Sequence, residues 1–296
     1  MLLLTVPEAH AGARLDAVLH DLVSGLSRYD ARRIAELGAV SRGGVRATAA
    51  ERVRAGDVVK VPDSTLATSL ALGLPVVHAD RDVLVIYKLP GLAAHPGTLV
   101  TDSVAARVSA SLIGAGLAQR LDRGASGLML VGKHKEALRA LGLAMEADAI
   151  TREYLAIGAG AATFATRTID LPLRVTDEPR GDRPKVVVDR EAGQAAITYL
   201  ETLATRGTTT LFRVRLGSGR THQIRAHLAA IGHPLLGDPR YGDASANQKA
   251  HATHGVTRPL LHATRLAFQQ PSSATQVVAE AWNEPDFARL FPELRA

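Results

Sequence analysis

The sequence changes its repeat period part-way along, and that change limits the folds open to it. Up to about residue 62 the apolar residues recur at helical spacing and then give way to short strands. From Val76 onward, strands are mixed with helices. Residues 63–75 (DSTLATSLALGLP) between them carry no clear period and read as a linker. A chain of 296 residues favours two domains, here a small one over 13–62 and a larger one over 76–296.

In the first segment Leu15, Val18, Leu19 and Leu22 form one apolar stripe. A second helix starts at Ser27, whose hydroxyl can cap the free amides, with Asp30 three residues on. It runs through Ile34 and Leu37 and stops at Gly38. AVSRGGVRA then reads as a strand, a tight Gly43-Gly44 turn and a second short strand. In the second segment DVLVIYKLPG is a buried strand ended by Pro90 and Gly91. SGLMLVGKH is another strand, and it leads into a helix over about 135–147. AAITYLETL and TTTLFRVRL alternate with period two around ATRG, which predicts an antiparallel pair. THQIRAHLAAIG is a helix with Ile224, Leu228 and Ile231 on its apolar side.

Charge and cysteine content narrow the function classes. The net charge of +6 and pI of about 9.9 favour a polyanionic partner, although they also serve solubility. Aromatics at 4% are too few for a broad base-stacking platform. The absence of cysteine excludes disulfides, thiolate nucleophiles and cysteine-ligated zinc or iron–sulfur sites. MLLLTVPEAHAG lacks a basic leader and is far too short to span a bilayer, so the expectation is a cytoplasmic protein with no membrane partner.

Most chemical motifs fail on inspection. GAGLAQ at Gly114 and GAGAAT at Gly158 lack the third glycine of a dinucleotide loop. His222 with His227, and His251 with His254, have no HExxH arrangement and read as surface or RNA-contacting histidines. No GxSxG elbow or Walker loop occurs, so neither metal nor cofactor is expected. Two clusters remain. One is Gln119-Arg120-Leu121-Asp122-Arg123-Gly124-Ala125-Ser126-Gly127, rich in turn formers just before a strand. An isolated RLDR is more often a salt-bridged structural aspartate than a catalytic one. The other runs from Gly217 to His227, where small residues let a ligand approach a helix start that favours phosphate. Arg225 lies about a quarter-turn from the apolar stripe of that helix. A guanidinium buried there needs a partner, and Asp122 would serve.

QRLDRGASGLMLVGK resembles the catalytic signature of the large-subunit ribosomal RNA pseudouridine synthases of the RluA type, usually HRLDxxTSG. DRDVLVIYKLPGLAAHPG, TREYLAI, LGSGRTHQIRAHLAAIGHPLLGDPRYG and LLHATRLAFQQP resemble further blocks of that family in the expected order, over roughly 76–272. RLDAVL, SRYDARRIAELGAV and RAGDVVKV resemble the small RNA-binding module of ribosomal small-subunit protein four. The resemblance implies an α+β fold, with a mixed, largely antiparallel catalytic sheet behind a small α+β RNA-binding domain. It implies isomerisation of uridine in structured RNA, ribosomal RNA ahead of transfer RNA, without cofactor; a monomer is the default expectation.

By the same resemblance Asp122, Tyr154 and Arg225 are the catalytic group. Asp122 attacks the sugar or removes a sugar proton, Arg225 orients it, and Tyr154 packs on the base. Arg120 fills the space left by a flipped base, and Arg123, Arg220 and His222 contact RNA beside the site. Arg28, Arg32, Arg33 and Arg42 add phosphate contacts from the N-terminal module. Gln119, Ala125, Arg152 and Ser218 depart from the family's His, Thr, Lys and Thr, which bears on positioning and substrate choice. Two rivals stand beside this reading. A purely RNA-binding protein would have no need of Asp122, Tyr154 and Arg225 together. A glycosidase would normally need a second cooperating carboxylate.

Overall fold

Two helices, Leu15–Leu22 and Arg28–Glu36, pack in the N-terminal segment beside a four-stranded sheet. The computed structural model describes residues 2–36, 38–97, 100–176, 185–282 and 284–295, so Leu37 of the expected second helix lies outside them. Ser27 Oγ accepts the Asp30 N–H at 3.1 Å, the cap legible in the sequence, and donates to the Asp30 carboxylate at 2.6 Å. Leu15, Val18, Leu19 and Ile34 are buried with Val40, Val59 and Val61 as one core. The sheet runs in the order Leu2–Thr5, Val58–Val61, Ser41–Arg42, Val45–Arg46. Its hairpin turns through Gly43 and Gly44, both at positive φ. The apolar Leu2–Thr5 is therefore an edge strand, antiparallel to Val58–Val61.

The expected linker, residues 63–75, contains a helix that the sequence pattern does not show. Asp63–Leu72 is a helix, closed by Gly73 in the left-handed conformation. Leu66, Ser69 and Leu72 are buried on it, and Ser69 Oγ accepts the Val76 N–H at 2.9 Å. A serine inside the buried stripe breaks the apolar period, which is why the sequence pattern misses the helix.

The chain folds as two compact units. The first holds residues 1–121, 127–143 and 269–281. Beyond the N-terminal segment it pairs Val76–Ala79 with Val83–Lys88, and Val83–Lys88 with Ser126–Gly132, all antiparallel. Both faces of Val83–Lys88 are buried, as its unbroken apolar run predicts.

The second unit holds residues 122–126, 144–268 and 282–296. Its strands are antiparallel neighbours in the order Thr166–Asp170, Ile197–Arg206, Thr209–Leu216, Thr151–Ala159, Leu261–Gln269. The Ile197–Arg206 and Thr209–Leu216 pair turns at Gly207, where alternation placed it. Separately, Leu173–Thr176 pairs antiparallel with Lys185–Val188. Phe287, Phe291, Leu155 and Leu260 form a core near the C-terminus. Each such buried side chain contributes about 1.5–3 kcal/mol. The architecture is α+β with antiparallel strand pairing. No helix among the described residues is long and apolar enough to cross a membrane.

Candidate active site

Asp122 opens a tight turn in the second unit, and the far end of that turn is anchored in the interior. Ala125 N–H donates to Asp122 O at 3.0 Å, closing the turn. Ser126 is buried, with its Oγ 2.9 Å from His262 Nδ1, and Arg258 Nη1 donates to Gly124 O at 3.3 Å. A Cβ on Gly124 would come within 2.7 Å of the Pro259 ring, so the turn lies hard against that segment. Ala125 is buried too, whereas the Asp122 side chain keeps 26% of its surface open. The carboxylate is both held and reachable.

The helix Gln223–Ala230 supplies its partner. Arg225 is 8% exposed and donates from Nη1 to Asp122 Oδ2 at 2.9 Å. This is the pairing that burial of a guanidinium demanded. Arg225 also forks onto Asp238, from Nε at 2.7 Å and from Nη2 at 2.9 Å. Burial works against its charge, but Asp238 and Asp122 outweigh burial and raise the guanidinium above its ordinary pKa. Burial likewise opposes charge on Asp238, and Arg225 more than offsets it, so that carboxyl lies below the usual range. Asp238 Oδ1 also accepts the N–H groups of Arg240 and Tyr241 at 2.9 and 3.1 Å. The turn it organises has Gly237 at φ 73°, where a Cβ would strike Arg258 O. Sequence reasoning missed Asp238 and Tyr241. The available signal was that a buried guanidinium carries more donors than one carboxylate accepts.

His222 immediately precedes the helix, at φ 52°. Its Nδ1 lies 3.0 Å from Tyr241 Oη, and its Nε2 lies 3.9 Å from Asp122 Oδ1. Burial lowers its proton affinity most; Arg225 and Arg240 add to that, while Asp122 and Asp238 oppose it. The preceding loop is tied down by Gln223, whose Oε1 accepts from Arg220 N–H at 3.0 Å and Ser218 Oγ at 2.8 Å. His227 is corrected: it is fully buried, bridging Thr198 Oγ1 and Leu171 O at 2.9 Å each, and belongs to the core.

Tyr154 lies on the strand Thr151–Ala159, 5% exposed. Burial pushes its phenol up to about 12; Arg152 pulls down and Asp122 pushes up by less. It stays protonated at neutral pH. Arg120, Arg123 and Arg220 are exposed, as are Arg28 and Arg32 in the N-terminal segment. Arg42 is half-buried against Glu51 and Asp57. Arg33, expected among the exposed phosphate contacts, is instead buried, 3.0 Å from Glu36, with its guanidinium 3.9 Å over the Tyr87 ring. Among the described residues no three His, Asp or Glu side chains converge as a metal site.

A partly open carboxylate oriented by a buried arginine, in a basic α+β protein, fits chemistry at a nucleoside. The sequence model of the RNA pseudouridylate synthase family matches residues 82–230, and that of the S4 domain matches residues 13–59. The ribosomal large subunit pseudouridine synthase D of Xanthomonas campestris is 34% identical over 307 residues, covering 98% of this chain and 91% of its own. An uncharacterized RNA pseudouridine synthase of Bacillus subtilis is 32% identical, covering 99% of this chain and 97% of its own. The solved structure of human RNA pseudouridylate synthase domain containing 4 superposes with a TM-score of 0.59 at 21% identity, covering 78% of this chain and 97% of that one. The chain belongs to the RNA pseudouridylate synthase family. It is an isomerase that converts uridine in RNA to pseudouridine, and it carries an RNA-binding S4 domain.

Proposed function

We propose that this enzyme modifies uridine in large-subunit ribosomal RNA, acting as a cytoplasmic monomer with Asp122 as the reacting carboxylate. The observation that carries the reading is the division of labour on that side chain. Arg225 binds Oδ2 at 2.9 Å, while Oδ1 accepts no hydrogen bond from any described residue. One oxygen is fixed and the other is available. The names of the Xanthomonas relative and of its Neisseria meningitidis and Nitrosomonas europaea counterparts specify the ribosomal large subunit, which supports the substrate assignment.

Isomerisation breaks the bond from uracil N1 to ribose C1′, turns the base, and joins C5 to C1′. The proton on C5 leaves and N1 ends protonated, so the atoms balance without cofactor. Asp122 serves by attacking C1′ or by removing the 2′ proton, and Arg225 keeps it aimed in either case. Tyr154, protonated at neutral pH, packs its ring on the base rather than acting as a phenolate. The target nucleotide must leave its stack, which costs a few kcal/mol. Arg120 fills the gap, and Arg123, Arg220, Arg28, Arg32 and Arg42 hold phosphates. Residues 13–62 form the RNA-binding module and 76–296 the synthase, with the helix Asp63–Leu72 joining them. A pseudouridine map of cellular RNA with and without the protein tests this. Loss of one or a few large-subunit positions, restored by the wild-type chain, is expected; loss confined to transfer RNA would overturn the substrate.

A further inference from the structure

The two oxygens of Asp122 are treated differently, and the residue facing the second one is held in an unusual way. Oδ1 faces His222 Nε2 at 3.9 Å, too long for a hydrogen bond as the chain stands. His222 is a non-glycine residue at φ 52°, a backbone state that persists only where surrounding contacts enforce it. One of those contacts is with Tyr241. Nδ1 lies 3.0 Å from Tyr241 Oη, and the two rings meet edge-on with centroids 5.6 Å apart. Tyr241 Oη already accepts the Val186 N–H at 2.8 Å. Among the described residues the hydroxyl proton then has one acceptor, which is Nδ1. With Tyr241 donating into Nδ1, a neutral imidazole must carry its own proton on Nε2, the atom turned toward Asp122.

We infer that His222 is a positioning residue for the isomerisation: fixed by Tyr241 as the Nε2–H tautomer, it offers a donor to Asp122 Oδ1 as that carboxylate engages the ribose. The inference rests on the reading of Asp122 as the reacting group. Arg225 and His222 then hold the carboxylate from both sides, and the turn bearing Asp238 and Tyr241 supports both holders. Asp238 forks onto Arg225, and the Tyr241 ring lies 4.9 Å beneath the same guanidinium. The charged groups around the imidazole are Asp122, Arg225, Asp238 and Arg240. Burial first, then the two arginines, hold it neutral at pH 7, against the two carboxylates. Protonation adds an N–H at Nδ1, which can no longer accept from Tyr241. It also sets a full positive charge beside Asp122, which damps the carboxylate as a nucleophile or base.

The test is the pH dependence of single-turnover pseudouridine formation, with RNA affinity measured alongside. Wild-type protein loses rate on the acid side, with a midpoint below the ordinary histidine value of 6.5. Tyr241→Phe keeps the ring but removes the proton donated to Nδ1, so that limb moves to higher pH while affinity holds within two-fold. His222→Asn tolerates the left-handed backbone, loses the limb and slows on the order of 10²-fold, as misplacement of a reacting group does. Nitrogen NMR of histidine-labelled protein reads the tautomer directly: Nε2–H in wild type, a mixture in Tyr241→Phe. An Asn variant that keeps the acid limb, or a wild-type imidazole protonated at Nδ1 alone, would overturn the inference. If His222→Asn fails to fold, Tyr241→Phe and the NMR spectrum still decide it. An active Asp122→Asn enzyme would sink the underlying reading; a dead one with an unmoved limb in His222→Asn would sink only the role of His222.

Discussion

Arg225 and Arg42 each bridge two carboxylates, yet the two arginines do different things. Arg42 reaches Asp57 at 2.8 Å and also Glu51, with 30% of its side chain in water. Water and salt can replace either partner there. Arg225 has 9% of its side chain exposed and Asp238 none. No solvent stands ready to replace a lost partner, so each acceptor is obligatory. Arg33 makes the same point from within the N-terminal segment, where burial against Tyr87 and Glu36 takes it out of the surface set. A cluster of arginines in a sequence is therefore a poor count of RNA contacts, because burial sorts them into ligands and struts.

The contrast breaks most easily at Asp238. Asp238→Ala strands two donors of Arg225, and unfolding measurements should show a loss of about 3–5 kcal/mol. Wild-type stability would erase the difference between Arg225 and Arg42. Because Arg225 holds the Asp238 carboxyl below its ordinary value of 3.8, its contribution is present above that value and is lost as pH falls through the lowered one. Denaturation followed from pH 5 down to 2 should therefore show a steep loss in wild type and a shallower one in Asp238→Asn. Ser27→Ala, which removes a surface cap, should cost only about 1 kcal/mol. Arg28→Ala with Arg32→Ala should leave catalysis at saturating RNA intact. It should flatten the log–log salt dependence of binding by about 0.7 to 0.9 per lost phosphate contact. An unchanged slope would make both a solvated face. The smallest effect is expected from excess chelator, which should leave the rate unchanged on an RNA that folds without magnesium.

The sequence was most informative where local chemistry decides local structure. The Ser27 cap, the Gly43-Gly44 hairpin and the Gly207 turn follow from side-chain oxygens and positive φ alone. The Arg225–Asp122 pair was legible because burial on a helix face demands a counter-charge, even across 103 residues of sequence. What stayed hidden depends on tertiary packing. The helix Asp63–Leu72 buries a serine on its inner face, so no apolar period betrays it. Arg33 and His227 are polar residue types whose burial is settled by distant partners, Tyr87 in one case and Leu171 in the other. The pairing of Tyr241 with His222 needs a left-handed backbone at a non-glycine residue, which is uncommon and is not signalled by the local sequence.

The central claim is that Asp122 carries the chemistry while the rest of its cluster holds it in place. Asp122→Asn keeps the side chain's shape and can still face Arg225, but it removes the charge. Single-turnover assays with the purified variant on a cognate ribosomal RNA fragment should detect no pseudouridine, with RNA affinity within a few-fold of wild type and an unaltered folded state. Turnover near the wild-type rate would contradict the account. Simultaneous loss of fold and binding would return Asp122 to the role of a structural ion pair.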